Sequence, residues 1–154
     1  MSTLERAIEI AVAAHKGQKD KSGAPYILHP LRVMEMGASE TEKICGILHD
    51  LVEDTAWTFE DLEKEGFSDE IIGVLQLLTK ESDTEDYVQF IQRVMTHKTA
   101  VAVKLNDLRD NMDITRLNEL KGNDLQRLNK YLNAYHRLRE KQSAGGVQKI
   151  NPGG

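Results

Sequence analysis

A chain of 154 residues is of single-domain length, and 40% hydrophobic with 29% charged residues excludes a disordered or collagen-like polymer. Twenty Lys and Arg against twenty-five Asp and Glu leave a formal net charge of −5, which argues against a broad electrostatic footprint for nucleic acid or an anionic membrane. The single cysteine, Cys45, excludes an intramolecular disulfide. Glu5, Arg6 and Glu9 interrupt the first apolar run, so no signal-peptide core is expected, nor any membrane span, and the expected location is cytoplasmic.

Apolar residues recur at spacings of three and four and nowhere alternate, so the expected fold class is all-α, a single helical bundle. The first helix is expected from Thr3 to Lys16, with Ser2 and Glu5 as a capping box and Leu4, Ala7, Ile8 and Ala11 inward. KGQKDKSGAPY then reads as a loop, and Pro30 as the first residue of a short helix to Met36, which places His29 at a loop-to-helix junction. Ser39 and Glu42 cap one helix that runs to Asp54; Thr58 and Ser68 cap two more. Asp83 is expected to start a helix burying Tyr87, Phe90, Ile91 and Val94. A helix over Thr99 to Met112 carries the stripe Val101, Leu105, Leu108 and Met112, and a last one runs from Asn123 to Lys141. Residues 1–142 form the domain in this reading, and 143–154, rich in glycine, form a mobile tail.

The stretch GILHDLVEDT carries the densest chemistry. On a helix, with His49 at zero, Glu53 falls at about 40°, Asp50 at about 100° and Asp54 at about 140°, opposite Ile47, Leu48, Leu51 and Val52. Gly46, at about 60°, lies in the polar arc and leaves space there for an ion or ligand. One imidazole and three carboxylates thus converge where no basic residue stands, and crowded carboxylates repel unless a cation intervenes. Mixed nitrogen and oxygen donors suit Mn, Fe, Co or Zn better than Mg or Ca. One helix cannot supply a full shell. His29, fixed by Pro30, and Asp107, beside the stripe of its helix with Asn111 four residues on, are the further candidates. His15, His97 and His136 read instead as caps or surface groups. Lys16, Lys19 and Lys21 are either a solvated turn or a local anion site.

The order His29, His49-Asp50, Asp107 resembles the signature of the HD-domain metal-dependent phosphohydrolases. AAHKGQKDKSGAPYILHP, LHDLVEDT and VKLNDLRDNM are similar to motifs of the Rel/SpoT-type guanosine polyphosphate 3′-pyrophosphohydrolases, over about Leu4 to Arg139, and the length is that of a stand-alone small alarmone hydrolase. That resemblance implies a single HD-domain bundle and removal of the 3′-pyrophosphate from (p)ppGpp. It implies one divalent metal, Mn²⁺, on His29, His49, Asp50 and Asp107, with Glu53 and Asp54 as the acid-base pair. It further implies a nucleotide pocket of Lys21, Ser22, Tyr26, Asn111, Arg127 and Tyr131. Three positions depart from the family pattern: Asp20 replaces a base, Ala24 a glutamate and Asp113 an arginine, with Lys19 and Arg109 placed to compensate. The rival functions are a phosphatase on another nucleotide such as NADPH, and a nucleotide-binding module with little turnover. Glu53 and Asp54 speak against the module; Asp20 speaks for it.

Overall fold

Thr3, and not Ser2, begins the first helix of the computed structural model, which describes residues 2–147. Its hydroxyl accepts from the Arg6 amide at 3.2 Å and caps α1 (Leu4–Ala14), so the expected Ser2-Glu5 box does not form. Ala7, Ile10 and Ala11 are its buried face, with Leu4 and Ile8 packed at the margin. The loop that follows closes on itself, with the Tyr26 amide donating to the Gln18 carbonyl and the Asp20 amide to that of Ala24, both at 2.9 Å.

Helix α2 (Leu28–Glu35) starts two residues earlier than Pro30 suggests. Proline is tolerated there because the first-turn amides have no partner within the helix. His29 is therefore fixed in a helical turn and not at a junction. The expected single helix from Ser39 to Asp54 is two: α3 (Glu40–Leu48), capped by Ser39, and α4 (Leu51–Asp54). Between them Asp50 adopts φ −102° and ψ 1°. His49 Nδ1 lies 2.6 Å from the Gly46 carbonyl, the group that the Asp50 amide takes in an unbroken helix. The side chain thus competes with the backbone, and the helix turns at the HD pair.

Thr58 and Asp61 form a full capping box on α5 (Phe59–Lys64), and Ser68 caps α6 (Asp69–Leu78), both as the spacing predicts. Helix α7 (Tyr87–Val94) begins after Asp86 and not at Asp83, yet buries Phe90, Ile91 and Val94 as expected. His97 caps α8 (Lys98–Asn111) by accepting from the Thr99 amide at 3.1 Å. A 3-10 turn over Ile114–Arg116, not anticipated, precedes α9 (Asp124–Val147), which runs six residues beyond its expected end at Lys141. Residues 143–147 of the expected tail are thus helical, and the rest of that tail lies outside the described residues.

Among the described residues α3 is the central helix, packing against α1, α2, α6 and α8. Ile47, Leu48, Leu51, Leu105, Leu108 and Leu138 are all at most 2% exposed and form the centre of the core. Among the described residues there is no strand, only an isolated bridge between Lys19 and Pro25. Gly46 opens no space for a ligand. A Cβ there would stand 3.1 Å from the Met34 backbone, so this glycine lets α2 and α3 approach. That approach brings His29 to His49.

Candidate active site

Three separate stretches of chain deliver four donors to one point. His29 comes from the first turn of α2, His49 and Asp50 from the break between α3 and α4, and Asp107 from α8. One ligand atom from each lies within 4.8 Å of all the others. His29 Nε2 is 2.9 Å from Asp107 Oδ1 and 3.6 Å from Asp50 Oδ2, and His49 Nε2 is 2.9 Å from Asp50 Oδ2 and 3.2 Å from Asp107 Oδ1. The two imidazoles face each other through Nε2 at 3.3 Å.

The far ring atoms decide what this arrangement accommodates. His49 Nδ1 meets the Gly46 carbonyl, and His29 Nδ1 meets Asp110 Oδ2, each at 2.6 Å. Both outer partners are acceptors, so both Nδ1 atoms donate and both Nε2 lone pairs turn inward toward the carboxylate oxygens. Four acceptors aimed at one another need positive charge between them. Burial works against a charged imidazole, yet the neighbouring carboxylates win and hold both His29 and His49 above their ordinary range. That field draws either two protons or one divalent cation, and the mixed N₂O₂ donor set fits a transition metal.

Sequence reasoning missed the groups that hold this shell. Asp110 is 5% exposed; besides His29 it takes Arg32 Nε at 2.6 Å and Arg116 Nη1 at 3.3 Å. Against the pull of burial, the hydrogen bonds from His29 and Arg32 hold its carboxyl down to about 2. The site is also not free of bases, as the sequence implied, because Lys104 Nζ stands 2.8 Å from Asp107 Oδ2. The signal was present in the helical period: Lys104, Asp107, Asp110 and Asn111 are spaced by three and four on α8 and share a face. Asn111 donates to Asp107 Oδ1 at 3.0 Å, and the Tyr26 hydroxyl donates to Asp50 Oδ2.

Glu53 and Asp54 stand at the solvent-facing rim, on α4. The protein packed around them, and then the charge of Asp50, raise both carboxyls above their usual range. His15, expected as a cap or surface group, does cap the end of α1, yet it is 1% exposed, its ring tilted at 51° to that of Tyr26 with centres 5.2 Å apart. Its Nδ1 meets Gln18 Oε1 at 2.8 Å, and Gln18 Nε2 donates to the Asp54 carbonyl at 3.0 Å, which ties the loop to the end of α4.

Two cavities flank the cluster, sharing Tyr26, Asn111 and Tyr131 as a wall. The first, about 290 Å³, is lined by Lys19, Lys21, Ser22, Arg116 and Arg127, so all six residues of the expected nucleotide pocket border it. The departures from the family pattern look different in three dimensions. Asp20 does not project a bare charge: its Oδ1 accepts from the Ser22 amide, the Ser22 hydroxyl and the Ala24 amide at 2.9, 2.7 and 2.9 Å. Asp113 likewise caps the 3-10 turn through the Thr115 amide. Lys19 borders the cavity, but Arg109 turns away to the Tyr135 hydroxyl, and Arg116 is the added base.

No family model matches the chain. It is 33% identical over 120 residues to a guanosine-3′,5′-bis(diphosphate) 3′-pyrophosphohydrolase of Aquifex aeolicus, covering 71% of this chain and 17% of that protein. It is 33% identical over 142 residues to the protein of that name from Borreliella burgdorferi, covering 83% and 21%. A GTP pyrophosphokinase of Streptomyces coelicolor is 36% identical over 126 residues, 73% of this chain and 15% of that one. The chain thus spans about a fifth or less of the length of these curated relatives. A solved structure described as a metazoan ortholog of SpoT that hydrolyzes ppGpp superposes with a TM-score of 0.70 at 21% identity, covering 97% of each chain. With that all-helical fold, and with its motif residues gathered at one point, the chain belongs to the Rel/SpoT-type HD domains.

Proposed function

We propose that this chain removes the 3′-pyrophosphate of (p)ppGpp, with one divalent metal, Mn²⁺, on His29, His49, Asp50 and Asp107. The observation that carries the reading is the placement of that N₂O₂ cluster beside Glu53 and between two cavities lined with bases. The activities for which its relatives are named support it. A metal held there supplies a Lewis acid that makes water acidic near neutrality. Glu53, its carboxyl raised, takes a proton from the attacking water. Water adds to the phosphorus attached to the 3′ oxygen; the bond between them breaks, its electron pair stays on the 3′ oxygen, and Asp54 delivers a proton there. The products are a nucleoside 5′-di- or triphosphate and inorganic pyrophosphate. Lys21, Arg116 and Arg127 neutralise the 5′ phosphates, Tyr26 and Tyr131 offer flat surfaces, and Ser22 and Asn111 supply hydrogen bonds.

The bound Asp20 carboxylate removes the observation that favoured a non-catalytic module. The deciding experiment is a product assay with added Mn²⁺ across ppGpp, pppGpp, NADPH and simple nucleotides. GDP and pyrophosphate in equal amounts from ppGpp are expected. Orthophosphate released from NADPH with ppGpp untouched would assign the site to coenzyme dephosphorylation instead.

A further inference from the structure

The second cavity, about 280 Å³, lies on the Glu53 side of the cluster and is bordered by His49, Asp50, Glu53 and Asp107 along one wall. Lys80, Lys104 and Lys130 line the same cavity, together with Tyr87. Only Lys104 is paired, with Asp107 at 2.8 Å; among the described residues no carboxylate lies within ion-pair distance of Lys80 or Lys130. Lys130 instead sits over the rings of Tyr87 and Tyr131, its Nζ 4.7 and 5.7 Å from their centres. Burial, and then repulsion from Lys80 and Lys104, lowers its pKa, so these ammonium groups feel one another across the space. Lys80 feels the charges of Glu53 and Glu85 without ion-pairing to either, and two like charges with no ion-paired carboxylate of their own are relieved when an anion enters. The Tyr87 hydroxyl, buried and without a hydrogen-bond partner among the described residues, is a second polar group on this wall whose partner the protein does not supply.

From this juxtaposition we infer that Lys80, Lys130 and Tyr87 form a subsite for a two-phosphate anion, holding the pyrophosphoryl group during cleavage and inorganic pyrophosphate after it. The inference rests on the proposed function and deepens it. It assigns the nucleoside and its 5′ phosphates to the first cavity and the transferred group to the second, with the scissile bond between them beside Glu53. Lys104 stays with Asp107, and its charge adds to the field without leaving its partner. Specificity for a 3′-pyrophosphate over a single 3′-phosphate then resides in the distal phosphate, the only one that reaches Lys80 and Lys130.

Calorimetry with inorganic pyrophosphate, on the protein as purified and again after chelation, tests the subsite without turnover. The wild type is expected to bind pyrophosphate better than orthophosphate in both states. The double variant Lys80→Gln, Lys130→Gln should bind pyrophosphate at least tenfold more weakly in both, with its helical circular dichroism intact. Tyr87→Phe should weaken it less. Kinetically, the double variant should lose most of the preference for ppGpp over its analogue with one 3′-phosphate. Unchanged pyrophosphate affinity would overturn the proposal, as would a loss caused by Lys21→Gln, Arg127→Gln and not by the lysine pair. If no 3′-pyrophosphorylated nucleotide is cleaved, the proposed activity fails, and calorimetry still judges the subsite on its own.

Discussion

At the scale of single residues, the proposed function separates groups that would hold a cation from groups that would move protons. His49→Ala with Asp107→Ala removes half of the donor set, and elemental analysis of the purified variant should find bound transition metal reduced from about one per chain to a trace. Asp110→Asn touches no metal directly, yet it weakens the hydrogen bond that points His29 inward. Metal affinity should fall about ten- to hundredfold, the usual effect of an outer carboxylate, as read by competition with a chelating dye. Glu53→Gln should keep metal and lose at least about a hundredfold in kcat, the size of an acid-base contribution. Loss of metal in that variant would place Glu53 among the ligands. His29, His49, Asp50 and Asp107 were all nameable from the sequence because their motif spacing is itself the signal. Asp110, Lys104 and His15 were not, because an unpaired charge or a histidine at a helix end reads as surface until its neighbours are known.

At the scale of helices, local chemistry was legible and competition between side chain and backbone was not. Ser39, Thr58 and Ser68 begin helices where spacing says they do, since a cap needs only its own next three residues. The break at His49-Asp50 escaped because a helical wheel assumes continuity, while the imidazole takes the carbonyl that continuity requires. Gly46 was misread for the same reason: the wheel gives its direction and not the neighbouring helix, whose backbone would stand 3.1 Å from an added Cβ. Gly46→Ala should therefore destabilise the fold by about 1–3 kcal/mol, the range for overpacking, seen as a lowered midpoint in urea with an unchanged slope. It should also weaken metal binding, because α2 carries His29 and must move off α3. Gly73→Ala, inside α6 with no atom near its added methyl group, is the control: it should leave metal binding unchanged and raise stability by about 0.5–1 kcal/mol.

For the molecule as a whole, the loop before α7 is held by one well-formed ion pair. Arg93 Nε and Nη2 donate to the two Glu85 oxygens at 2.8 Å each, and Nη2 also reaches the Thr79 carbonyl at 3.0 Å. The Arg93 hydrogen bonds draw the Glu85 carboxyl from an ordinary 4.5 down to about 2. A carboxyl lowered in the folded state stabilises it fully above its unfolded pKa, and that contribution is lost as pH falls from about 4.5 to about 2. The wild type should unfold at a higher temperature than Glu85→Gln at pH 7, and the gap should narrow steadily below pH 4.5. A gap independent of pH would mean that shape and not charge accounts for the difference.

The four donors stand at positions 29, 49, 50 and 107, so a cation bound by them closes a loop of chain running from α2 to α8. Such a cation behaves as a reversible crosslink, with no affinity for an unfolded chain in which those positions are dispersed. At a free concentration a hundred times its dissociation constant it adds about 2.7 kcal/mol to the stability of the fold. Scarcity of metal then acts on the amount of protein as well as its rate, because a chain stripped of its crosslink opens more often to proteases. Chelation should lower the melting temperature of the wild type and leave that of His49→Ala, Asp107→Ala where it was. Digestion at fixed protease concentration should accelerate in the first and not in the second.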